Sequence, residues 1–68
     1  MSMELIINGQ PRQLEQVQHV EDVVRELGLL GKPLVAEVEG KVLTAQQWAS
    51  VPVQPGMKIE LVHFVGGG

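Results

Sequence analysis

Val20, Val23, Val24 and Leu27 recur at i, i+3, i+4 and i+7, which places all four on one face of a helix. Glu21, Asp22, Arg25 and Glu26 fall on the other side, with the acids in the first turn where the helix dipole favours them. Gly28 stands where helices commonly end in a left-handed residue, and Pro33 lies further on. Gln18 or His19 must cap the start, and either is a poor cap. This is the one long helical pattern in 68 residues. Its valine stripe has to be buried, and with no Cys there is neither a disulfide nor a thiolate-bound metal to replace a packed core. The partner of the stripe must be a sheet.

The strands for that sheet are legible. Met3 to Asn8 alternates Met3, Leu5 and Ile7 against Glu4, Ile6 and Asn8. Asn8-Gly9 is the dipeptide best suited to a tight hairpin, because both residues tolerate positive φ. Gln10 to Leu14 is the return strand, with Pro11 acceptable only at its start or on an edge. Leu34 to Val38 predicts a third strand closed by Glu39-Gly40, and Val42-Leu43 a short fourth. Thr44 is placed to cap a brief helical turn over Ala45 to Trp48. Pro52 excludes Val51 to Val53 from a central strand, Pro55-Gly56 marks a turn, and Lys58 to Phe64 is the last strand.

The order β-β-α-β-β-turn-β, with one main helix across one face of a five-stranded mixed sheet, is an α+β arrangement of the ubiquitin-like β-grasp kind. Residues 1–65 make the β-grasp domain, and residues 66–68 a flexible glycine tail. A sheet covered by a helix on one face leaves apolar residues of its other face as candidate contacts for a partner.

Composition narrows the function classes. The net charge is −3, and Arg12, Arg25, Lys32, Lys41 and Lys58 are scattered, so no basic stripe exists for a nucleic acid. An acidic domain is instead steered toward basic protein partners. Two His without Cys give no structural zinc set. Met1 to Glu4 lacks the pattern of a signal peptide, and the apolar runs fall far short of the roughly 20 residues that cross a bilayer. The expectation is a cytoplasmic protein, monomeric when free, with no membrane or nucleic-acid partner and no bound cofactor.

The chain ends Val65-Gly66-Gly67-Gly68, directly after the last strand. Three glycines make a thin, conformationally free thread whose terminal carboxylate can enter a channel that any side chain would block. A carboxylate is a poor acyl donor and needs activation, most simply as an acyl-adenylate. No base, nucleophile or metal set accompanies the tail, so it has the character of a substrate for another enzyme rather than of an enzyme.

Several of these segments together resemble the thiamine-biosynthesis sulfur-carrier family, ThiS. They are Lys58 to Gly68, the opening strand with Asn8-Gly9, Val20-Glu21-Asp22-Val23-Val24, Glu39-Gly40-Lys41-Val42, Gln47-Trp48 and Pro55-Gly56. The family often has Thr or Ser where His19 stands and Pro-Arg where Thr44-Ala45 stand; neither departure touches the tail. The resemblance implies that an adenylating, ThiF-like enzyme uses ATP and magnesium to activate the Gly68 carboxylate. Sulfur, drawn from cysteine by a desulfurase, then converts it to a thiocarboxylate, and a ThiG-like thiazole synthase accepts that sulfur. Gly66 and Gly67 would thread the tail. The small subunit of molybdopterin synthase, a carrier for another acceptor, a conjugated ubiquitin-like modifier and a passive interaction module remain alternative readings.

On the last strand, Ile59 and Leu61 share a side with His63, while Lys58, Glu60, Val62 and Phe64 share the other. The second set begins with two charges, so Ile59 and Leu61 belong to the core. Val62 and Phe64 become exposed apolar residues before the tail, with Ile6 on the same open face and Val65 following. These four are the expected partner-binding residues. Trp48 is expected to pack in the core or at its rim, His19 to lie at the helix terminus, and His63 to have no catalytic role. Glu15, Glu21, Asp22, Glu26, Glu37 and Glu39 are expected to form a solvated surface.

Overall fold

A computed structural model describes residues 2–64. Strands β1 (Ser2–Ile7) and β2 (Gln10–Glu15) form the opening hairpin. Asn8 and Gly9 turn the chain with φ of 51° and 81°, the left-handed pair that matches the twist of the flanking strands. Helix α1 (Val20–Glu26) follows, then β3 (Leu34–Val38), β4 (Lys41–Leu43), the one-turn helix α2 (Ala45–Trp48) and β5 (Lys58–His63). The sheet order is β2-β1-β5-β3-β4. β5 runs parallel to β1 and antiparallel to β3, so the last strand in the chain is the middle one of the sheet. This is the β-grasp arrangement that the element order implied.

Pro11 sits on β2, an edge strand, opposite Ile6. Its missing N–H therefore costs no inner ladder bond. Pro52 makes only an isolated bridge to His19. The segment around it lies along the start of α1, where Val20 N–H donates to Val51 O and Val53 N–H to Gln18 O, both at 2.9 Å.

The valine stripe is buried as its spacing required. Val20, Val23 and Val24 are fully enclosed, together with Leu5, Ala36 and Ile59 from the sheet, and Ile7, Leu14, Val17, Leu34, Val38, Leu43, Trp48, Val53 and Leu61 complete the core. Leu27 is only partly buried against this core. α1 ends in paired bonds, Leu29 N–H to Val24 O at 3.0 Å and Gly28 N–H to Arg25 O at 2.9 Å. Gly28 has φ 73°, so this is a Schellman ending built on a residue without a Cβ.

The start of α1 departs from expectation. His19 is the N-cap residue, but the capping comes from inside the helix. The Asp22 carboxylate reaches back and accepts from the backbone N–H groups of Gln18 and His19, both at 2.9 Å, and its other oxygen takes the Arg25 guanidinium at 3.0 Å. Asp22 thus keeps a partly exposed side chain but has a structural role that a merely solvated acid would lack. α2 uses the same device. Thr44 is its N-cap, and Gln47 Oε1 accepts from Thr44 N–H at 2.9 Å. Glu39 is also engaged, its carboxylate accepting from Lys58 N–H at 2.8 Å. Several strands differ slightly in extent from the sequence reading: Asn8 belongs to the turn, Glu15 extends β2, and Phe64 lies beyond β5.

Candidate functional site

Side chains on β5 alternate between the core and the uncovered face. Ile59 and Leu61 are buried, whereas Val62 is 56% exposed. Val62 pairs across the ladder with Val35 on β3, and the exposed Val42 on β4 lies opposite Glu37, so the open face carries valines on three adjacent strands. Ile6 also lies on this face, half-buried beside Lys58. Lys58 and Glu60 stand between it and Val62 along the sheet, so Ile6 and Val62 share a face without forming one continuous patch.

Phe64 separates from this group. Its N–H donates to Pro33 O at 3.1 Å, which carries the β3–β5 pairing one step beyond the strand. Its ring, 49% exposed, lines a shallow groove of about 530 Å³ with Leu30, Pro33, Leu34, Ala45 and Trp48. Strand parity put Phe64 with Val62; the loop before β3 draws it instead to the side of α2. Trp48 is buried as expected, but its indole N–H has no acceptor among the described residues. Two exposed apolar residues were missed. Val42 is detectable from alternation in its three-residue strand, whereas Leu30, in a loop between glycines, carries no periodic signal.

His63 is exposed and opposite Leu34. Among the described residues no group of His, Asp or Glu could hold a metal ion, and no helix is long and apolar enough to cross a membrane. The lowered pKa of Asp22 comes first from its two backbone N–H donors and then from Arg25; it reflects capping rather than catalysis. Val65, Gly66, Gly67 and Gly68 lie outside the described residues. What the described part contributes is their anchorage: the strand leading to them is held on both sides, by β1 and by β3.

The family model for ThiS matches residues 5–68. This chain belongs to the ThiS family. This is the family that the resemblance of its segments implied, and the β-grasp sheet order agrees with it. The crystal structure of the thiamine biosynthesis protein ThiS from Geobacter metallireducens is similar over 97% of this chain and 100% of that one, with a TM-score of 0.80 and 26% identity. A thiazole synthase from Paramagnetospirillum magneticum is 35% identical over 66 residues. Another, from Magnetococcus marinus, is 30% identical over 66 residues. Each alignment covers 97% of this chain, which spans only 20% of the length of those two relatives.

Proposed function

We propose that this ThiS-family chain carries sulfur on Gly68, whose carboxylate a ThiF-like enzyme adenylates with ATP and magnesium. The carboxylate attacks the α-phosphate, pyrophosphate leaves, and the mixed anhydride makes the acyl carbon electrophilic. The outer sulfur of a persulfide, formed from cysteine by a desulfurase, displaces AMP to give an acyl disulfide, and a thiol reductant then cleaves its S–S bond to leave the thiocarboxylate. Its sulfur is a far better nucleophile than a carboxylate oxygen. The observation that carries the proposal is the extent of the family match, which runs to residue 68 and so includes the glycines.

Thiazole synthase is the acceptor we favour. Two proteins of that name contain a stretch alignable with nearly all of this chain inside a polypeptide about five times longer, from the 20% share. Covalent linkage of a carrier to its acceptor raises their effective concentration to the millimolar range when the linker is short. A carrier on a separate chain has to reach its acceptor through docking contacts, for which Val62, Phe64, Val65 and Ile6 are the proposed residues. The protein itself then acts as a substrate of its partners, in a cytoplasmic setting where ATP is available.

Intact-mass measurement tests this directly. After incubation with the activating enzyme, ATP, magnesium and a sulfur source, the chain should gain the mass of sulfur less that of oxygen. The gain should disappear when Gly68 is deleted. An unchanged mass with an activating enzyme competent on its own carrier refutes the proposal. Transfer to thiazole synthase is scored by loss of that added mass when the synthase and its other substrates are supplied.

A further inference from the structure

One row of the open face runs across three strands, from Val42 on β4 to Glu37 on β3 to Glu60 on β5. Glu37 and Glu60 are direct partners in the antiparallel ladder. Their side chains leave the same face from positions whose Cβ atoms stand about 5 Å apart, an arrangement in which like charges repel. No ion pair among the described residues reaches either carboxylate. The neighbouring acid Glu39 is committed to the Lys58 backbone N–H. Beside the two acids lie the apolar side chains of Val42 and of the Val35–Val62 pair, with Val42 and Val62 largely exposed.

An uncovered sheet face with two opposed carboxylates, bordered by valines on one side and by Lys58 on the other, is complementary to a cation set in an apolar surface. A guanidinium suits it better than an ammonium. Its planar fork presents five donors in fixed directions, enough to bond both carboxylates at once while its flat faces lie against valine methyls. The enzyme that adenylates a carboxylate must hold that group beside the phosphates of ATP. Its surface near the site is therefore cationic, and a carrier with net charge −3 is drawn toward it.

We propose that an arginine of the adenylating enzyme inserts between Glu37 and Glu60, with apolar side chains of that enzyme covering Val35, Val42 and Val62. This deepens the carrier reading above and rests on it. One guanidinium bonds both acids at once and offsets the repulsion expected of like charges directly opposite in a ladder.

The test uses the full chain and purified adenylating enzyme, with carrier-dependent exchange of pyrophosphate into ATP as the readout. The variants are Glu37→Gln, Glu60→Gln, the double variant, and Glu26→Gln as a control acid on α1. The double variant should raise the KM for carrier about tenfold, the scale of a lost charge-assisted bond, with kcat unaltered. Its KM should respond less to added salt than that of the wild type. Its thermal stability should equal or exceed the wild type, because the repulsion is gone, which separates a docking defect from misfolding. Glu26→Gln should leave KM unchanged. Wild-type exchange with unaltered KM in the double variant overturns the acid-pair inference alone, as does an equal effect of Glu26→Gln. Absence of exchange with the wild type overturns the carrier reading and this inference together.

Discussion

Asn8 Oδ1 accepts a hydrogen bond from the backbone N–H of Leu61 at 2.8 Å, although the two residues are 53 positions apart. Asn8 N–H donates in turn to Ile59 O at 2.9 Å. The side chain of a turn residue therefore extends the parallel pairing of β1 with β5 past the end of β1. The same residue holds φ at 51°, which Asn tolerates and most residues do not. Hairpin geometry and closure of the sheet depend on one side chain.

Asn8→Ala should accordingly destabilise the domain by about 2 kcal/mol, combining left-handed strain with a part-buried N–H left unpaired. Asn8→Gly removes the bond but accepts the φ and should cost about half as much, roughly 1 kcal/mol. Urea unfolding of the three proteins gives both values. Equal losses in the two variants would mean that the strain contributes nothing.

Asp22 makes stability depend on acid. Its carboxylate has a lowered pKa because the charged form is held by the N–H groups of Gln18 and His19 and by Arg25. A depressed folded value means that the contribution is complete above the ordinary value of 3.8 and is lost as pH falls below it toward the folded pKa. Asp22→Ala should cost about 1 kcal/mol at neutral pH, the scale of a lost helix cap. The difference from wild type should shrink as unfolding is measured at pH values descending from 3.8, and a constant difference would refute this account.

At Trp48 the ring matters and its N–H does not. Its indole N–H is buried with no acceptor among the described residues, so the ring is held by packing alone. Trp48→Phe removes the unpaired donor along with some contact area. The two effects oppose each other, and we expect a net change within about 1 kcal/mol. Trp48→Ala should cost about 3–5 kcal/mol through the cavity it leaves. Thermal or urea unfolding of the pair distinguishes packing from hydrogen bonding.

Val62→Asp and Phe64→Asp should leave the fold intact, since both side chains are about half exposed or more. They should weaken adenylation through KM for the carrier. Ile59→Asp, which buries a charge at a fully enclosed position on the same strand, should prevent folding. Circular dichroism of each variant checks the first point and pyrophosphate exchange the second.

What could be seen in the sequence follows the range of the physics involved. The valine stripe of α1, the boundaries of β3 and the Asn8-Gly9 turn are set by neighbours within a few residues, and each is found where the pattern put it. Burial of Ile59 and Leu61 followed from alternation once charge had fixed the face. Asp22 was read as a surface acid because its role depends on the chain turning back at Gln18 and His19. Phe64 was assigned by parity, which stops applying where β5 ends and Pro33 begins to set its direction. The juxtaposition of Glu37 and Glu60 needs the β3–β5 register, which no local pattern contains. The glycines were legible as composition, and the family match, which extends to residue 68, is what attaches a meaning to them.

The central position of β5 has a mechanical consequence. In the role proposed above, an enzyme drawing Gly68 into its channel would pull on the central strand of the sheet, which is flanked by ladders on both edges. Force along β5 loads the bonds to β1 and β3 in shear, so they share the tension instead of opening one after another as an edge strand would. The domain can thus be hauled by its end without unravelling, and the tug is passed to the sheet as a rigid handle.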